Sequence, residues 1–189
     1  RALVEKEPNY SYATARLLMD QLRAEALSFL GIAKQATQSE MAALYPRALV
    51  AYIHKAIELE LLAPELAQYD MEKLGRALNA KRDMQFNYLG LQTLYDRYFI
   101  HTEDDIRFEL PQVFFMRVAM GLAAAEANKE ARAIEFYELL SSFDYMASTP
   151  TLFNAGTLRP QLSSCYLTTV PDDLHGIYGA IQDNAMLSK

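Results

Sequence analysis

Residues 111–128 read PQVFFMRVAMGLAAAEAN. Proline opens the stretch, where a helix can spare the missing N–H, and Asn128 closes it. Between them the spacing predicts a strong helix over 112–127. The chain's longest apolar stretch, around residues 118–126, is far too short to cross a bilayer. Asn128 then separates it from a further predicted helix over 129–143.

Working back toward the start, helical spacing persists to Tyr10. Ala15, Leu18, Met19, Leu22, Ala26, Phe29 and Leu30 form one stripe of a helix over 11–30, and Gly31 can end it. A second helix is predicted to start near Pro46, used as a first-turn residue, and to run through Leu49, Val50, Ile53, Ile57 and Leu61. Asp70 is a natural N-cap for a short helix reaching about Asn79. Tyr88, Leu91, Leu94, Tyr95 and Tyr98 place a fourth helix over 86–99. Ile106 to Leu110, alternating with Arg107 and Glu109, reads as a short strand or an extended lead-in.

Toward the other end the texture changes at Ala147. Ser148-Thr149-Pro150-Thr151 and Asn154-Ala155-Gly156-Thr157 read as a loop of about 15 residues, a length that often carries function. Residues 162–170, Leu-Ser-Ser-Cys-Tyr-Leu-Thr-Thr-Val, are rich in β-formers and are expected to make a buried strand. Pro171 ends it, and Asp172 and Asp173 precede a helix over 174–187. The expectation is a mainly α fold: a helical domain to about 146, then the opening of an incomplete α/β domain.

The chain has 189 residues, 51% hydrophobic and 22% charged, which suits a globular domain with a sizeable core. A net charge of −6 without a Lys/Arg run argues against nucleic acid or an anionic membrane as the partner. One cysteine excludes an internal disulfide framework and a Cys-based metal cluster, and the three histidines show no metal-binding spacing, so no metal is assigned. With no secretory leader pattern at its start, the chain is expected to be a cytoplasmic piece of something longer.

Few residues offer chemistry. Cys165 is either a small buried hydrophobe or a redox thiol whose partner lies elsewhere; a hydrolytic role lacks a base among His54, His101 and His175. The hydroxyls and amides of the 149–157 loop suit phosphate oxygens, or simply form a Pro/Gly turn. Asp172 and Asp173 read as caps or as acceptors for a ribose hydroxyl. The standard nucleotide fingerprints are absent. A helical interaction module with a structural cysteine is the alternative to an enzyme.

Four segments occur in a familiar order: Arg82-Asp83-Met84-Gln85-Phe86-Asn87-Tyr88, Ser148-Thr149-Pro150-Thr151-Leu152, Gln161-Leu162-Ser163-Ser164-Cys165-Tyr166-Leu167 and Asp172-Asp173-Leu174-His175-Gly176-Ile177-Tyr178. In order and spacing the sequence resembles the large (alpha) subunit of class I ribonucleotide reductase, the ribonucleoside-diphosphate reductases. The resemblance implies three regions. Residues 1–28 correspond to the end of an ATP-cone, 29–146 to the helical N-terminal domain, and 147–189 to the first strand and helix of a ten-stranded α/β barrel. It implies that Cys165 is one half of the redox dithiol, that Thr149 and Ser164 join it in contacting substrate, and that Asp172, Asp173 and Leu174 contact a deoxynucleotide effector. The last helix then belongs to the helix pair of a homodimer. The implied activity is reduction of ribonucleoside diphosphates to deoxyribonucleotides for DNA synthesis, under ATP and deoxynucleotide control. The implied cofactor is a radical from a metal-containing small (beta) subunit, with thioredoxin or glutaredoxin as reductant; this stretch alone is expected to bind no cofactor and to be inactive. One departure concerns the cone. Active cones place a lysine after the arginine of the terminal helix, whereas Ala24 follows Arg23 here, which predicts weakened phosphate binding.

Overall fold

The computed structural model describes residues 7–188. The first six residues of the cone-like segment, and Lys189, lie outside the described residues. Among those described, the chain forms α1 (Tyr10–Phe29), α2 (Met41–Glu58), α3 (Met71–Ala77), α4 (Tyr88–Arg97), α5 (Pro111–Ala123), α6 (Lys129–Ser141), α7 (Thr149–Asn154) and α8 (Leu174–Leu187). Short 3-10 turns fill Pro64–Gln68 and Ala80–Gln85. The described residues contain no strand beyond two isolated bridges, Leu62 with Thr157 and His101 with Arg107.

Helix α5 is the centre of the core. Pro111 through Met120 are all buried, as an all-round apolar helix must be. It packs against α6 and α2, while α1 lies along α4 and α3 bridges α2 and α6. The stripe of α1 enters this same core: Ala15, Met19, Leu22, Ala26 and Leu27 are buried in it. Gly31, at φ 68°, ends α1 in a two-bond stop. Its N–H donates to the Ser28 carbonyl at 3.1 Å, and that of Ile32 to the Leu27 carbonyl at 2.9 Å.

Local chemistry accounts for most helix starts. Asp70 Oδ1 accepts from the Lys73 N–H at 2.9 Å, Asn87 Oδ1 from Gly90 at 2.8 Å and Asn128 Oδ1 from Ala131 at 3.3 Å. Helix α2 departs from the expected start at Pro46. It begins at Met41 and carries Pro46 inside. A turn ahead of it sets the entry: Glu40 Oε2 accepts from both the N–H and the hydroxyl of Thr37, at 2.7 Å each. Pro46 is its sixth residue, so the helix forgoes the one bond that an N–H there would make to the Ala42 carbonyl.

Two segments differ from the reading of the sequence. The loop expected after Ala147 contains α7, with a proline in its first turn. The strand expected over 162–170 is not formed: these residues are irregular, and Leu167 is fully exposed. A strand needs a neighbour for its N–H and C=O groups, and none of the described residues supplies one. Ile106 to Leu110 likewise stays extended, holding one bridge.

Candidate functional site

The residues singled out from the sequence fall on three consecutive pieces of the chain: α7, the irregular segment after it, and the start of α8. Helix α7 is held from both sides. At its C-terminal end Arg117 of α5, wholly buried, donates from Nη1 to the carbonyls of Leu152 at 3.2 Å, Phe153 at 3.3 Å and Ala155 at 2.8 Å. Those carbonyls are the ones a helix leaves without partners. Backbone contact reinforces the grip. A Cβ placed on Gly121 of α5 would meet the Gly156 nitrogen at 2.2 Å, so only glycine admits this approach.

Arg117 is itself fixed by a buried carboxylate. Its Nε lies 2.7 Å from Glu109 Oε1, which also accepts from the Tyr52 hydroxyl at 2.6 Å, while Glu109 Oε2 accepts from the Ile100 N–H at 2.9 Å. Burial opposes the charge on Arg117, but Glu109 and Tyr52 outweigh it and hold the guanidinium above its ordinary value. Burial, then the charge of Glu109, pushes the Tyr52 phenol well up. Neither Glu109 nor Arg117 was singled out from sequence. The signal was present: a lone arginine in an apolar stretch buried on all sides requires a buried carboxylate.

At the other end of α7, Thr149 is exposed and its hydroxyl lies 2.9 Å from the phenol of Tyr98, which follows α4. The Tyr98 ring stacks on Phe153, with centroids 4.8 Å apart. The outer side of α7 holds the next segment. Asn154 Nδ2 donates to the Gln161 carbonyl at 2.7 Å and the Thr151 hydroxyl to the Leu162 carbonyl at 3.3 Å. The Gln161 amide reaches on to the Ser163 carbonyl at 3.3 Å and to the Tyr166 hydroxyl. Ser164 and Cys165 are exposed, with Oγ and Sγ 3.7 Å apart. The bland reading of Cys165 as a buried hydrophobe is therefore wrong for this structure. Thr149 and the Ser164–Cys165 pair belong to one tethered unit, but no hydrogen bond joins them.

The two aspartates separate in role. Asp173 caps α8, its Oδ1 accepting from the Gly176 N–H at 2.8 Å. Asp172 is exposed and its carboxylate has no partner among the described residues. Leu174 opens the helix and is 72% exposed, on a helix whose only buried residue is Ala180. Thr168 ties this helix back to the Cys165 segment through Asn184 Oδ1 at 3.0 Å.

Arg23, the residue corresponding to the cone arginine, is 3% exposed. Its guanidinium bonds Asp20 at 3.0 Å and the Gln38 side chain, and lies 3.7 Å from Asp83. It faces the helical core. Among the described residues no group of three or more His, Cys, Asp or Glu could hold a metal ion, and no helix is long and apolar enough to cross a membrane.

A helical core thus braces the hydroxyl-bearing helix α7 and carries an exposed thiol on the segment beyond it. Residues 84–160 match the family model described as the ribonucleotide reductase all-alpha domain. The whole chain is 48% identical over 190 residues to the ribonucleoside-diphosphate reductase subunit alpha of Chlamydia muridarum. It is 39% identical over 183 residues to that of Helicobacter pylori, covering 96% of this chain, and 35% identical over 187 residues to the large subunit of Danio rerio, covering 97%. The chain belongs to the ribonucleotide reductase large-subunit family. It spans about a fifth of the length of these relatives: 18%, 21% and 22%.

Proposed function

We propose that this chain forms part of a ribonucleoside-diphosphate reductase large subunit, supplying one redox thiol and part of the substrate and effector sites. The observation that carries the reading is the exposed Cys165 thiol on a segment tethered to α7, which presents the Thr149 hydroxyl. Replacing a ribose 2′-hydroxyl by hydrogen takes two electrons and releases water. Two thiols supply both electrons and two protons and end as one disulfide. Cys165 is one of them; the second must come from outside this sequence, because no other cysteine is present. The Thr149 and Ser164 hydroxyls hold the diphosphate and the sugar by donation. The exposed segment over 162–170 takes its place as the first strand of the ten-stranded barrel when partner strands are present, and α8 pairs with its copy in a homodimer. Exposed Leu174, Tyr178, Ile181 and Met186 support that pairing. Asp172, free of internal bonds, accepts from the sugar of a deoxynucleoside triphosphate effector.

The radical is assigned to a metal-containing small subunit and final reducing power to thioredoxin or glutaredoxin. No step through a metal is assigned to the residues of this chain. Arg23 is occupied in the core, so no contact with ATP is assigned to it. Within a cell the whole protein is placed in the cytoplasm, where thiols stay reduced.

Cys165→Ser in a large subunit carrying this sequence tests the reading. Cys165 is exposed, so the fold and the binding of cytidine diphosphate should persist. Multiple turnovers with a dithiol reductant should be lost. A variant that cycles at the wild-type rate would remove Cys165 from the reaction.

A further inference from the structure

We propose that Tyr98 is a positioning residue for the diphosphate site: its phenol donates to the Thr149 hydroxyl and so turns the threonine proton outward, toward an anionic phosphate oxygen. The proposal rests on the reading of Thr149 as a substrate contact.

The geometry carries it. The two oxygens are 2.9 Å apart, and either hydroxyl could donate. A phenol is the more acidic group, hence the better donor and poorer acceptor, while the aliphatic hydroxyl keeps two lone pairs. With Tyr98 donating, Thr149 has satisfied one acceptor site and retains its own proton. Thr149 is exposed, so that proton faces open space rather than protein. The tyrosine cannot easily swing away, because its ring lies over Phe153 at 4.8 Å and 27°. Phe153 belongs to the same short helix as Thr149, and its carbonyl is held by Arg117 at 3.3 Å. The ring and the hydroxyl of Tyr98 thus grip α7 twice. The rotor state of Thr149 is set by a residue that precedes it by 51 positions and stands in the helical domain.

Three variants of a large subunit carrying this sequence test it: Tyr98→Phe, Thr149→Ala and the double variant. Binding of cytidine diphosphate is read by titration calorimetry, and KM and kcat with the small subunit present. Tyr98→Phe keeps the ring on Phe153, so its melting temperature should stay within a few degrees. Its dissociation constant and KM should rise about three- to tenfold, the usual range for one hydrogen bond, with kcat moving less. Thr149→Ala should lose at least as much, and the double variant should bind no worse than Thr149→Ala, because the tyrosine acts only through the threonine. Tyr98→Leu, lacking the ring as well, should melt lower yet lose no more affinity than Tyr98→Phe. Unchanged binding in Tyr98→Phe, or additive losses in the double variant, overturns the proposal. Unchanged binding in Thr149→Ala instead overturns the substrate reading of Thr149, and the positioning role falls with it.

Discussion

Arg117 shows how one residue links core energetics to the candidate site. It combines a buried ion pair with Glu109 and three carbonyl acceptors on α7 and just beyond it. Removing one member of such a pair leaves a buried charge uncompensated, which typically costs about 3–5 kcal/mol. Arg117→Met should therefore lower stability by roughly that amount in urea melts. Amide exchange in residues 149–155 should accelerate beyond the global loss, because their carbonyl anchors go too. Arg117→Met combined with Glu109→Gln should recover part of the stability but leave that exchange fast. Full protection of α7 in Arg117→Met would show that Gly121 packing and the Tyr98 contacts hold it without the arginine.

At the scale of elements, the start of α8 separates a structural carboxylate from an available one. Asp173 makes the cap bond to Gly176 and Asp172 makes none. Asp173→Ala should destabilise α8 by about 0.5–2 kcal/mol, seen as lost helicity. Asp172→Asn should leave the melting temperature within a few degrees, as exposed substitutions usually do. In a dimeric large subunit carrying this sequence it should weaken deoxynucleoside triphosphate binding, since the charge and half the acceptor capacity are gone. Unchanged effector titration would remove Asp172 from that site. The elements also show where local patterns sufficed. Asp70 bonds three residues ahead, so its cap was visible in sequence, whereas the strand over 162–170 depended on neighbours that local pattern cannot supply.

The whole molecule is knitted by a second buried network around Asp83. The Tyr45 hydroxyl donates to its two oxygens at 3.0 and 2.8 Å, Gln112 Nε2 donates at 2.8 Å, and Arg23 stands 3.7 Å away. Gln112 in turn accepts from Tyr137 at 2.8 Å, so α1, α2, α5 and α6 meet there. Burial pushes the Asp83 carboxyl up from 3.8 to about 6, and the bonds from Gln112 and Tyr45, with Arg23, offset only part of it. A carboxyl raised in the folded state holds its proton longer there than in the unfolded chain. Its contribution therefore favours folding at low pH and is lost as pH climbs from about 4 to about 6. Relative to Asp83→Asn, the wild-type protein should lose stability over that window, by an amount on the order of 3 kcal/mol at most. Parallel pH curves for the two in denaturant melts would contradict this.

The sequence by itself determined every described helix except α7, and the caps at Asp70 and Asp173. These rest on spacing of three to four residues and on bonds between near neighbours, which are printed in local order, whereas Thr149, Ser164, Cys165 and Asp172–Leu174 are candidates through the family resemblance. Tertiary structure alone decided that α2 starts at Met41, that α7 exists, and that Cys165 is exposed. It also decided that Glu109 and Arg117 form the brace beneath α7 and that Tyr98 meets Thr149. Those features depend on which side chains meet across 8 to 51 residues of chain, and a buried charge reveals its partner only when the helices have packed.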